Sequence, residues 1–378
     1  SNTVLLLLGE NYLYHLPNQD TKIYAYDPNN LAAGPVHEAD LGANFPEIGG
    51  GIIDDSGKLW VNLKDRIVRL SEDLSTAVYS EHMQDTVPDI VFPKNNGMVL
   101  FSDGSILSSS QEQHAWLTST TPNENEQFPV LAHYDFTEFE YQNQRILANE
   151  ADFAPRPIIG TDDEFFIMSR NYMIKLKYDS QNQAVDNNII WAFKNPQNNV
   201  TTQSTIAISH PVVLGALVCA ATGPLNNAVT MQIYCVDYTT GELVQSFEPF
   251  PNAPGSAAKH TLGGYSDMNW LVAMANDDNN NAGLAVFDLN SMSPVQAPVI
   301  MNNISESFVL AAGNHQMYIA KRDSANSPFQ LVAVDAITGA QEVLYESNVS
   351  GNPRAGLGAV GKFGVYFPTL DGLVHIRN

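Results

Sequence analysis

The chain has 378 residues, 44% of them apolar and only 16% charged, with Asn, Gln, Ser and Thr filling the difference. Eighteen basic against 41 acidic residues leave a net charge of −23, which argues against a surface built for phosphate backbones or anionic lipid heads, so no nucleic-acid partner is expected. So few charges also count against a helical bundle, whose outer faces need Glu, Lys and Arg, and no apolar run reaches the roughly 18 residues of a membrane-spanning helix.

The opening Ser-Asn reads as a scar of tag removal, so a signal segment is expected to have been cut away with the natural N-terminus. Beyond it, alternating strands end repeatedly on an aspartate turn. They are "KIYAYDPNN" (22–30), "VLAHYDFTE" (130–138), "KLKYDSQNQ" (175–183), "QIYCVDYTTGELV" (232–244), "LAVFDLNSM" (284–292) and "LVAVDAITGAQEVL" (331–344). A weaker copy is "RIVRLSEDL" (66–74), and "GLVHIRN" (372–378) stops where its turn should begin. Asp27, Asp135, Asp179, Asp237, Asp288 and Asp335 hold the turn position. An aspartate suits it because its carboxylate accepts from backbone N–H groups two residues on. These carboxylates therefore have a structural task rather than a catalytic one.

A second hairpin, built on a Gly, Asp or Asn turn, is expected upstream of each of these. Examples are "GIIDDSGKLWVNL" (51–63), "IVFPKNNGMVLF" (90–101), "IIGTDDEFFIMS" (158–169) and "LAAGNHQMYIA" (310–320). Each unit thus reads as four antiparallel strands, and units of this kind bury their faces against neighbours around a circle. The prediction is an all-β fold: a single β-propeller domain, 1–378, of four-stranded antiparallel blades. Eight units begin near residues 3, 47, 88, 156, 204, 259, 307 and 354; misreading one weak unit would leave seven. The third is expected to carry an insertion at about 104–128, made of an extra hairpin and a polar loop. The last is expected to lack its outer strand.

Cys219 and Cys235 fall on strands read as neighbours. Export would permit a disulfide; two small buried apolar side chains is the reading taken here. Two thiolates on one hairpin are too few for zinc.

The segments "IYCVDYTTGELVQSF" and "LVAVDAITGAQEVL" resemble the repeat of quinoprotein-like (pyrroloquinoline-quinone-type) β-propellers, with Trp191 of "NIIWAFK" where that repeat places an outer-strand tryptophan. The resemblance implies either a quinone-dependent dehydrogenase or a cofactor-free scaffold such as the outer-membrane assembly lipoprotein. The dehydrogenases typically carry adjacent cysteines and calcium-liganding Glu, Asn and Asp at the channel; this chain has no Cys-Cys pair. The scaffold branch is therefore expected, with no cofactor.

In a propeller the starts of the innermost strands surround the channel mouth. One equivalent position holds Glu47, Asp89, Arg156, Ser204, Lys259, Ser307 and Arg354. Arg156 and Arg354 could act there as bidentate donors to an anionic or hydroxylated ligand, with Lys259 and His260 beside them. The alternative is that the cations pair with Glu47 and Asp89 and hold only water. His260 is the best candidate base; His133, His210 and His315 do not converge with it. "DDNNNAG" (277–283) resembles a calcium loop, with Asp277, Asn279 and Asn281 at alternate positions, but its glycine falls one residue late. The sequons at Asn199, Asn303 and Asn348 are expected in exposed loops between units.

No G-x-S-x-G, H-E-x-x-H or phosphate-cradling loop is present. The function expected is a non-catalytic, exported bacterial binding or scaffold module for a protein or glycan partner, engaged first through 104–128. The alternative is a channel-mouth hydrolase, lyase or quinone- or metal-dependent oxidoreductase.

Overall fold

The computed structural model describes residues 4–17, 20–42, 50–63, 65–87, 97–109, 113–148, 157–169, 171–196, 205–207, 211–224, 232–249, 255–277, 282–301, 306–313, 315–322, 327–350, 359–361, 364–369 and 372–377. Its strands form eight antiparallel sheets, the blades of a β-propeller. The chain divides into two compact units, Ser1–Ala192 and Phe193–Asn378. Among the described residues the helical segments are single 3-10 turns, and none is long and apolar enough to cross a membrane.

In the first unit, the first sheet runs Val4–Leu8, Leu13–Pro17, Lys22–Tyr26, Pro35–Asp40, and the second Gly50–Ile53, Leu59–Asn62, Ile67–Leu70, Ala77–Tyr79. The third is Gly97–Leu100, Ile106–Ser109, His114–Thr118, Val130–Asp135. The fourth is Ile158–Ile159, Glu164–Met168, Tyr172–Asp179, with its outer edge shared by Ala184–Val185 and Trp191–Lys194.

The second unit repeats the plan. Its fifth sheet ends on Gln232–Asp237 and Leu243–Phe247, and its seventh on Pro328–Asp335 and Gln341–Ser350. The sixth begins with Gly255–Tyr265 and Trp270–Asp277. The eighth has three described strands, Ala359–Gly361, Gly364–Thr369 and Gly372–Ile376.

Strand alternation explains why the sheets stack. Successive side chains point to opposite faces, so Leu59 and Val61 of the second sheet pack with Tyr14, Leu16 and Ile23 of the first. Between them in sequence, Trp60 turns the other way and packs with Met98, Ile106, Trp116 and Phe128 of the third. With both faces covered, the strand reads as a continuous apolar run, LWV, rather than an alternating one. The same sandwiching joins the third sheet to the fourth through Leu107, Leu117, Phe165 and Ile174.

The turn aspartates act as expected at five corners. Asp27 Oδ1 accepts from Asn29 N at 2.8 Å, and Asp179 Oδ1 from Gln181 N at 2.9 Å. Asp237, Asp288 and Asp335 accept at 2.9, 2.8 and 2.9 Å from the backbone two residues on. In the weaker copy Asp73 serves, accepting from Ser75 N at 3.1 Å.

The third sheet corrects the sequence reading. Residues expected to form an added hairpin, 104–119, are instead its second and third strands, and "VLAHYD" is its outer strand. Asp135 therefore caps the 3-10 turn Phe136–Glu138, accepting from Thr137 N at 2.9 Å. The true corner is Asn123, whose Oδ1 accepts from Asn125 N and Gln127 N at 2.9 and 3.1 Å. Alternation is the same in every strand of a sheet, so it cannot say which strand is third and which fourth; cross-strand pairing does. The additional segment follows Asp135 and buries Phe136, Phe139 and Leu147 against the fourth sheet.

A second correction concerns the cysteines. Cys219 and Cys235 face each other across adjacent strands, with Cα atoms 4.1 Å apart, and form a disulfide. It lies inside the apolar layer between the fifth and sixth sheets. Asn348, expected in a loop, lies in the outer strand Gln341–Ser350 of the seventh sheet.

Candidate functional site

Most of the expected channel mouth falls outside the described residues: Glu47, Asp89, Arg156, Ser204 and Arg354 all do, as do His210 and the calcium candidates Asn279 and Asn281. Of the rest, the backbone is described. Lys259 and His260 lie in Gly255–Tyr265, with His260 opposite Ala275, and Asp277 ends Trp270–Asp277 opposite Gly255. Ser307 pairs with Lys321. His315 sits at the expected turn between Gly313 and Gln316, its ring 5.7 Å from Trp270.

What the structure does build is a cleft of about 1050 Å³ in the first unit, a volume suited to a side chain or small ligand. Its walls come from hairpin corners at one end of the second, third and fourth sheets. Asp55 follows the first strand of the second sheet, Phe101 and Ser102 follow that of the third, and Asp162 and Asp163 form the corresponding turn of the fourth. The opposite wall is the corner after Tyr172–Asp179, continuing to Val185 and Asp186. Five aspartates line the cleft, Asp55, Asp162, Asp163, Asp179 and Asp186, against the single cation Lys177. Its potential is therefore negative.

The scaffold beneath is tightly tied. The Tyr178 and Phe101 rings stack with centroids 4.1 Å apart. The Tyr178 hydroxyl donates to Asp103 Oδ2 at 2.7 Å. Burial, together with the Asp103 and Asp163 charges, holds that phenol far above its usual range, so it stays protonated. Across the sheets, Asp163 accepts from Ser102 N at 2.7 Å and from Ser102 Oγ at 2.5 Å. Asp162 and Asp163 adopt positive φ values of 53° and 59°, the left-handed region that aspartate tolerates better than most residues. Asp179 is held below the carboxylate range first by the Asn182 side chain and then by backbone donors of its corner. Asp186 accepts from Asn188 N at 2.9 Å.

Three of the five carboxylates are thus spoken for. Asp55 and Asp162 are exposed, and no donor among the described residues reaches their carboxylates. The apolar flank is supplied by Leu100, Ile159 and Val185, with Ile159 41% exposed. A negative rim over an apolar wall can seat a Lys or Arg side chain, whose stem is apolar and whose head is charged. Of the rim aspartates the sequence had singled out only Asp179, as a turn residue, because these turns looked like ordinary hairpin corners; the available signal was the pair of consecutive aspartates at two of them, Asp54-Asp55 and Asp162-Asp163.

No three His, Cys, Asp or Glu side chains among the described residues are placed to hold a metal together. The quinone dehydrogenases' adjacent cysteines find no counterpart either, since Cys219 and Cys235 are joined across two strands inside an apolar layer.

No family model matches the sequence, and no curated protein matches it. Solved structures do match. The propeller of Dos1 superposes with a TM-score of 0.64 at 9% identity, covering 99% of this chain and 91% of that one. BamB from Moraxella catarrhalis gives 0.59 at 10%, covering 99% and 97%. The dihydro-heme d1 dehydrogenase NirN, in complex with DHE, gives 0.60 at 10%, covering 95% and 68%. At such identities the likeness establishes architecture alone: the chain has a β-propeller fold.

Proposed function

We propose that this chain is a non-catalytic recognition propeller, exported from the cell, that binds a protein partner through a basic segment of that partner. In this reading residues 1–378 act as one domain. The observation that carries the proposal is the cleft: two carboxylates, Asp55 and Asp162, that no donor among the described residues reaches, over an apolar wall and beside rim aspartates Asp163, Asp179 and Asp186 that do have donors. Corner loops on a rigid sheet framework are where recognition residues concentrate. Complementary charge accelerates encounter and excludes partners of like charge. The Cys219–Cys235 disulfide supports export, because such bonds persist in oxidising compartments. The likeness to BamB supports a scaffold role in the same spirit.

The test is titration of a labelled lysine-rich peptide, followed by fluorescence anisotropy at low and physiological salt. Asp55→Asn with Asp162→Asn should weaken binding about tenfold, roughly 1.4 kcal/mol, and the loss should shrink as salt screens exposed charge. A control pair, Glu242→Gln with Glu342→Gln, removes the same charge from exposed positions in the second unit. Equal losses in both pairs would reduce the effect to net charge and remove the cleft from the argument.

A further inference from the structure

The corrected third sheet brings together two histidines far apart in sequence. His114 lies in its third strand and His133 in its outer strand. The register sets Trp116 opposite His133 and His114 opposite Asp135, so all four side chains share one face of the sheet. His133 Nε2 and His114 Nδ1 are 3.1 Å apart, with ring centroids 5.0 Å apart. The buried Trp116 ring backs His133 at 5.2 Å. Its own Nε1–H donates to Thr86 Oγ1 at 3.2 Å, which fixes the indole in place.

We propose that His114 and His133 form a two-imidazole site for a borderline divalent transition cation of the Ni²⁺, Cu²⁺ or Zn²⁺ class. Neutral imidazole is the commonest side-chain ligand for these ions. Metal–nitrogen bonds of about 2.0–2.1 Å put two ligating nitrogens about 2.9 Å apart at a right angle and about 3.4 Å apart at the tetrahedral angle. The observed 3.1 Å lies between these values, so both nitrogens can reach one cation once each ring swings its near lone pair off the line joining them. Without metal, one of the two nitrogens carries a proton and donates to the other. On binding, that proton moves to the far nitrogen of the same ring, and both near lone pairs turn to the ion. Water fills the remaining positions, which agrees with the absence of a third described ligand close enough to complete the set.

One further feature favours a cation there. Asp135, opposite His114, adds negative charge on the same face.

Titration calorimetry with nickel chloride on the purified chain tests the site. One Ni²⁺ should bind per chain at the pair, and His114→Gln or His133→Gln should each weaken it at least tenfold. His82→Gln, at an exposed histidine paired with Asp65 Oδ2 at 2.6 Å, should leave it unchanged. Sub-stoichiometric Ni²⁺ on the unsubstituted protein gives a second readout independent of variant folding: paramagnetic broadening should reach the His114 and His133 ring signals first. Binding that survives either substitution, broadening that begins at other histidines, or no binding below millimolar Ni²⁺ would overturn the proposal.

Discussion

Removing the Cys219–Cys235 bond offers a quantitative test of the fold. The two residues stand opposite each other in register and are separated by 16 positions, so the bond closes a short loop in the unfolded chain. Loop-closure entropy for a ring of that size corresponds to about 3 kcal/mol at 25 °C. For a unit of this length a change of 1 kcal/mol moves the midpoint by roughly 2–4 °C, so reduction should lower the melting temperature of Phe193–Asn378 by about 6–12 °C. Reduction deletes no atoms, so it isolates the cross-link. Cys219→Ala with Cys235→Ala should cost somewhat more, because it also removes two sulfurs from a fully buried layer. The assay is differential scanning calorimetry with and without dithiothreitol, beside thiol titration in denaturant without reductant. Two reactive thiols in the unreduced protein, or equal melting temperatures in both states, would refute the reasoning.

Three further outcomes are expected. Lys175 is 3% exposed and its Nζ lies 2.8 Å from Glu164 Oε2, so Lys175→Ala should destabilise by about 3–5 kcal/mol by stranding a shielded carboxylate. Glu164→Gln combined with Lys175→Met should recover much of that in denaturant titration. At Gly364, with φ of 132°, a Cβ would stand 2.0 Å from the carbonyl oxygen of Ile376; Gly364→Ala should therefore cost about 1–3 kcal/mol, with amide exchange quickening first in the eighth sheet. Asp335 is held below its ordinary 3.8, first by the Thr338 N–H and then by the Thr338 hydroxyl. Its folded value lies below its unfolded one, so its contribution is complete above about pH 4 and is lost as pH falls through the folded value. Asp335→Asn should flatten the melting-temperature profile below pH 4 and leave its slope near pH 7 unchanged.

Much of the architecture was legible in the residues. Corner aspartates followed by backbone donors two positions on are local chemistry, and each can be read without knowing what the strand touches. Five of the six aspartates so identified stand at the expected corners, and Asp135 failed only because "VLAHYD" is a fourth strand rather than a third. Trp191 falls on the outer edge of the fourth sheet as its place in "NIIWAFK" indicated, where it is buried against Phe166. The candidate sites were far less legible. His114 and His133 meet only because one particular antiparallel register sets their strands side by side, and the cleft exists only because corners from three sheets converge.

The sequence by itself determined that this chain is an array of small antiparallel sheets turned on Asp and Gly corners, because alternation and turn chemistry act over a few residues. Tertiary structure alone decided the order of strands in the third sheet, the bond between Cys219 and Cys235, the two carboxylates left over in the cleft and the pairing of two imidazoles. The physical reason is range. A corner is stabilised by donors two or three residues away, whereas a register, a disulfide or a cleft depends on which distant strands exclude water from one another, and a pattern of period two repeats in every strand without naming its neighbour.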